Sequence, residues 1–95
     1  MTLESQAVEI EILSRLRLFI MRIVPLELMA TGERGLVHEV DGPSEFVVRL
    51  GEMGLQAGAN VVMVKAGSPC ILAVNDHRFS LRLDESAMVL VEVKA

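Results

Sequence analysis

The chain has 95 residues and a formal net charge of −4. That length fits one domain and excludes a multidomain enzyme, while the acidic charge disfavours nucleic-acid binding, which relies on basic residues to neutralise phosphates. Hydrophobic residues make up 52% of the sequence and aromatic residues 3%, so we predict a folded domain with an aliphatic core. The single cysteine, Cys70, fits a reducing cytoplasm, and no stretch is long and apolar enough for us to expect membrane insertion.

The segment over residues 3–24, before the first glycine, has a pattern of its own. Its apolar residues recur every three or four positions, which predicts an amphipathic helix; they are Val8, Ile12, Leu16, Phe19 and Ile23. Around Glu9 and Glu11 the same segment also alternates acidic with apolar residues, as a strand would. Pro25 should end the segment, because the residue before a proline is pushed out of helical geometry. We therefore predict a helical N-terminal extension over 1–24, whose apolar surface over 3–24 favours a homo-oligomer.

Short strands and tight turns follow from Thr31 onward. The predicted strands cover 36–40, 61–65, 71–74, 78–83 and 89–93. The apolar run over 61–65 is typical of a strand covered on both faces. Asn75 and Asp76 suit a two-residue hairpin turn, and Asp84 is expected to cap a single helical turn before the last strand. Five short strands in about 65 residues predict a small barrel over 25–95.

One helix interrupts these strands, and both of its ends can be predicted. Ser44 is the expected N-cap, and an apolar stripe follows at spacings of three and four. Gly54 sits where a helix ends in a left-handed residue, and Leu55 is placed to pack back on Leu50 in a Schellman motif. We expect this helix to plug one open end of the barrel.

Motifs for catalysis and nucleotide binding are absent from the sequence. It contains no P-loop, no dinucleotide-binding glycine pattern and no nucleophile elbow, so we expect no enzyme, no catalytic residue and no cofactor. His38, Cys70 and His77 are metal-ligand types, but no two lie two to four residues apart, and we predict no metal site. Arg78 and Arg82 share a strand face, which is either solvated charge or a docking surface for an acidic partner.

Three blocks of the sequence together resemble the pattern of a known family. They are Gly32–Val37, then Arg49–Gly58 with Val61, and finally Phe79–Arg82 with Glu85 and Val91. Together they resemble the ferrous iron transport protein A (FeoA) family, and the pattern Arg-Leu-x-x-Met-Gly-Leu-x-x-Gly of the middle block is the most specific part. The resemblance covers residues 25–95. The turn Lys65–Pro69 looks a residue or two shorter than the family's, and the residues before Met21 have no counterpart in most relatives.

The resemblance implies a mainly β fold, a small SH3-like barrel of about five strands with an inserted helix. It also implies a cytoplasmic accessory protein of ferrous iron uptake, which binds and modulates FeoB, a membrane transporter with its own GTP-binding domain. By position, we predict the partner contacts on the exposed side of the helix and its end, where Leu55 would remain half exposed. The predicted contact residues are Arg49, Glu52, Leu55 and Gln56.

Two other functions stay open at this point. The glycine spacing over 32–37 also resembles the opening of ribosomal KOW-type barrels, which bind nucleic acid, although the charge of −4 opposes that function. The other alternative is a regulatory module that binds iron or another transition metal, and it would use His38, His77 or Cys70.

Overall fold

The computed structural model describes residues 22–94. Within this range six strands form one sheet: β1 Arg22–Pro25, β2 Arg34–Asp41, β3 Asn60–Lys65, β4 Cys70–Val74, β5 His77–Leu81 and β6 Met88–Val93. A 3-10 helix, Leu26–Leu28, follows β1, and the helix α1, Ser44–Glu52, connects β2 to β3. The strand order is β1-β6-β2-β3-β4-β5, with every pair antiparallel. The predicted mainly β fold is confirmed, and its single sheet fits an SH3-like barrel.

The sheet has one strand more than predicted. Residues 22–24, which we assigned to the helical extension, belong to β1 and pair with β6, with Val24 opposite Val91. Pro25 favours extended geometry in Val24, and β-branched residues such as Ile23 and Val24 suit a strand. The rest of the predicted extension, and the homo-oligomer through 3–24, lie outside the described residues.

The core is aliphatic, as predicted. Its fully buried side chains come from both the sheet and α1 and include Leu26, Leu50, Leu55, Leu72, Val74, Val89 and Val91. In β3, Val61 and Met63 are buried but Val62 and Val64 are only half-buried. The prediction that β3 is covered on both faces was therefore wrong, because this antiparallel sheet packs one face on the core and leaves the other nearer to solvent.

The helix α1 begins differently from our prediction and ends as predicted. Pro43 occupies the N-cap position, no side chain caps the helix, and Ser44 is already its first residue. The Pro43 carbonyl accepts the Val47 N–H at 3.0 Å; the fixed φ of proline, here −56°, makes it a rigid entry to the helix. At the other end the Leu55 N–H donates to the Leu50 carbonyl at 2.9 Å. Gly54 has φ +91°, so the predicted Schellman motif is confirmed.

Two turns flank β5, one on each side. Asn75 has φ +56° and joins β4 to β5, which confirms the predicted hairpin turn. The helical turn predicted at Asp84 is absent from this part of the chain, where residues 85–86 form a simple turn. The Asp84 carboxylate accepts the Ser86 N–H at 2.8 Å and also the Ser86 hydroxyl. These bonds lower the pKa of Asp84 and hold the turn without a helix.

Candidate functional site

The outer face of α1 combines an exposed apolar side chain with charges of both signs. Val48 is 60% exposed, although it lies inside a regular helix. Glu45, Arg49 and Glu52 surround it because residues three and four apart share one face of a helix. With Ser44 they line a shallow depression of about 370 Å³. We call these five residues the α1 surface.

The predicted contact residues divide into two groups. Arg49 and Glu52 belong to the α1 surface, and Gln56 is exposed just beyond the end of the helix. Leu55 is different, because its exposure is 0%. The expectation that Leu55 remains half exposed was wrong, since a residue that follows the glycine of a Schellman motif packs back on the helix. Leu55 therefore positions the end of α1 and presents nothing to a partner.

A second depression extends the α1 surface toward the sheet. Glu52 lines it together with Met53, His77, Arg78 and Phe79, and its volume is about 250 Å³. The end of α1 lies close to the β4–β5 turn, because a Cβ added at Gly54 would be 3.0 Å from the side-chain amide of that turn's Asn75. No spacing in the sequence pairs residues near 52 with residues near 78; only the predicted β4–β5 hairpin could have indicated that the two regions lie close together. We call this depression the β5 recess.

Arg49 of the α1 surface and Arg78 of the β5 recess have no carboxylate partner within the described range, and neither has Arg82, which follows β5. Within residues 22–94 two pairs of basic and acidic side chains lie in contact, Arg22 with Glu33 and His38 with Glu92, both at 3.4 Å. Neither pair involves Arg49, Arg78 or Arg82, the arginines of α1 and the β5 region. Within residues 22–94, therefore, none of these three guanidinium groups pairs with a carboxylate.

A third groove, of about 380 Å³, lies where the 3-10 helix approaches the end of β5. Carboxylates from Glu27, Asp84 and Glu85 line it, together with Leu83 and the buried Cys70. The Cys70 thiol donates a hydrogen bond to the Leu81 carbonyl at 3.4 Å, and burial raises its pKa. A thiol that stays protonated and 95% covered behaves as a small core residue, because the thiolate is the reactive form.

The structure does not bring the three metal-ligand types together. His38 is exposed on β2, where its Nδ1 lies 3.4 Å from Glu92 Oε1. His77 begins β5 beside the hairpin turn, and Cys70 is buried at the start of β4. Across residues 22–94, no three His, Cys, Asp or Glu side chains are grouped so as to hold a metal ion. In the same range no helix has both the length and the apolar character to cross a membrane.

Comparisons with known proteins point to one family. A family model described as the FeoA domain matches residues 24–93, from β1 to the end of β6. Among solved structures, the crystal structure of an iron uptake regulatory protein (FeoA) matches with a TM-score of 0.68 and 29% sequence identity. That match covers 75% of this chain and 97% of the other. No curated protein matches the sequence.

Proposed function

This chain belongs to the FeoA family, and from that premise we propose that it is a cytoplasmic accessory protein of ferrous iron uptake that binds and modulates the FeoB membrane transporter. The family is one of accessory iron-uptake proteins and is not a known family of enzymes. A protein of this kind acts through a surface that another protein recognises. The proposed function therefore requires a surface that suits contact with another protein.

The observation that carries the proposal is the α1 surface. An exposed valine framed by charges has the arrangement of a small interface, in which an apolar centre is surrounded by a polar rim. The helix holds this arrangement rigidly, because Leu50 and Leu55 anchor its inner side and its end in the core. Little conformational entropy is then lost when a partner binds to it.

Three of the predicted contact residues keep a direct role in this proposal. Arg49 and Glu52 form the charged rim, and Gln56 extends it beyond the helix. Arg78 continues the same surface through the β5 recess, which it shares with Glu52. Charges at such a rim mainly set the orientation and the rate of association, whereas the apolar centre contributes most of the affinity.

The test is direct binding of the purified chain to full-length FeoB in nanodiscs, with and without a GTP analogue. We expect Val48→Asp to weaken binding by about tenfold or more, because it places a charge in the apolar centre of the contact. Leu28→Asp is the matched control, since Leu28 is 69% exposed but lies in the 3-10 helix, outside the α1 surface. The free energy of unfolding should stay unchanged in both variants.

Two results would overturn the proposal. One is the absence of binding to FeoB in every nucleotide state. The other is an equal loss of affinity in Val48→Asp and Leu28→Asp, which would mean that any added acidic charge is enough and that the α1 surface has no particular role. Arg49→Glu is an independent test, because reversing a charge at the rim should slow association more than it speeds dissociation.

A further inference from the structure

The strands β3, β4 and β5 contain neither aspartate nor glutamate. In the chain as a whole, acidic residues nevertheless outnumber basic ones by 13 to 9. Carboxylates are concentrated on other features of the fold, such as Glu45 and Glu52 on the α1 surface and Glu27, Asp84 and Glu85 in the third groove. Charge is therefore unevenly distributed, and these three strands form a basic part of an acidic molecule.

The outer side of these strands presents basic side chains to solvent. Residues directly opposite each other on antiparallel strands share one face of the sheet. Two rows of such residues cross the sheet here, and the first has a basic residue at each end while the second has one at its start. The rows are Arg34, Val62, Ala73 and Arg78, and then Lys65, Ile71 and Ser80.

Four exposed basic residues define this surface, which we call the basic face: Arg34, Lys65, Arg78 and Arg82. Neighbouring strands lie about 4.8 Å apart, so three strand spacings separate the backbones of Arg34 and Arg78 by about 14 Å. Along β5 and just beyond it, a rise of about 3.3 Å per residue places Arg82 about 13 Å from Arg78. A charged layer over this small area meets all four charges at once.

The centre of the basic face offers no apolar anchor. Its apolar side chains, Val62, Ile71 and Ala73, are half-buried. The large apolar side chains that are exposed in the described range lie on other elements: Ile23, Leu28, Val48 and Met88. Contacts between proteins take most of their affinity from apolar anchors in a buried centre, whereas a layer of anionic lipid headgroups attracts basic residues through charge alone. The basic face therefore suits a membrane surface better than a protein.

We propose that the basic face binds the anionic headgroups of a lipid bilayer, reversibly and without insertion. Lipid phosphates accept hydrogen bonds from the arginines of the face and from Lys65. Such binding is sensitive to salt, because charges at a surface are screened over about 8 Å at physiological ionic strength. Nucleic acid also presents phosphates, but the net charge of −4 opposes it. The inference does not depend on FeoB, because lipid alone is the ligand.

Sedimentation with vesicles tests the proposal on the full chain. We expect binding at low salt to vesicles of equal parts phosphatidylcholine and phosphatidylglycerol, release at high salt, and no binding to phosphatidylcholine alone. The double variant Lys65→Gln, Arg82→Gln should bind about tenfold more weakly or less, because each basic residue near the surface contributes about fivefold. Arg22→Gln with Arg49→Gln is the matched control, since it removes the same charge from exposed positions on β1 and α1.

Three results of the vesicle experiment would overturn the proposal. They are the absence of binding at low salt, equal binding to the two kinds of vesicle, and an equal loss of binding in the two double variants, which would mean that only the net charge matters. Single-stranded RNA that displaces the vesicles, and whose own binding falls only in Lys65→Gln, Arg82→Gln, would assign the face to nucleic acid instead. Urea denaturation should give nearly the same free energy of unfolding for all three proteins, because the substituted side chains are exposed.

Discussion

Gly35 and Gly51 both lie inside regular elements, and only Gly35 is required by its surroundings. A Cβ added at Gly35 would overlap Val91 Cγ1 and would lie 2.7 Å from the Glu92 carbonyl oxygen. We therefore expect Gly35→Ala to lower the free energy of unfolding by about 1–3 kcal/mol, because β2 would have to move away from β6. Urea denaturation of the full chain measures this loss.

Gly51 provides the matched control for that substitution. Its added Cβ would meet nothing nearer than the Gln56 side-chain oxygen, at 4.0 Å. Since alanine is a better helix former than glycine, Gly51→Ala should raise the free energy of unfolding by about 0.5–1 kcal/mol. If both substitutions destabilised the protein alike, the close approach of β2 to β6 would not be the reason for Gly35.

At the scale of the elements, the structure at the end of α1 determines how a substitution of Leu55 should be interpreted. Because Leu55 is fully buried against Leu50, Leu55→Ala should lower the free energy of unfolding by about 2–5 kcal/mol. Binding to FeoB should then fall only as the folded fraction falls. Chemical denaturation and binding measured on the same samples separate the two effects. A loss of affinity in fully folded Leu55→Ala would contradict this assignment and make Leu55 a contact residue.

The two ends of α1 show which signals in a sequence are reliable. The Schellman end was predictable because Gly54 and the apolar residue after it satisfy a local geometric rule. The start was not, because Pro43 and Ser44 both suit the beginning of a helix and only the backbone shows which residue is its first. The exposure of Leu55 could have been predicted from the same motif, which requires its side chain to pack inward.

The turn at Asp84 and the strand β1 were missed for different reasons. Aspartate starts a helix and closes a turn by the same means, a carboxylate that accepts a nearby N–H, so Asp84 alone does not distinguish them. The strand β1 has four residues, too few for an alternating pattern, and its pairing partner β6 lies at the far end of the sequence. Non-local pairing of this kind leaves almost no local signal.

At the scale of the whole molecule, the order of the strands determines where a partner can bind. Hairpins place β4 beside β5 and β3 beside β4, and the sequence indicates both through their turns. The insertion of β6 between β1 and β2 is not indicated by any turn. This arrangement leaves β5 as the last strand and brings its start close to the end of α1. The α1 surface and the β5 recess are neighbours for that reason, although 25 positions separate Glu52 from His77.

A chain that begins at Met21 tests how the N-terminal segment contributes to the whole molecule. The FeoA structure matched here aligns over 97% of its own length with 75% of this chain, so we expect the shortened chain to fold. Its free energy of unfolding should stay within about 1 kcal/mol of that of the full chain, because the buried core side chains of the described range all lie between Leu26 and Val93. Urea denaturation measures this difference.

The matched control is a chain that begins at Gln6 behind an initiator methionine. It keeps most of the N-terminal segment and should also unfold as the full chain does. In both shortened chains the Leu72 amide should remain slow to exchange, because β4 lies between β3 and β5 inside the sheet. A clear loss of stability in the chain from Met21, but not in the chain from Gln6, would contradict this expectation and would mean that residues 6–20 stabilise the domain.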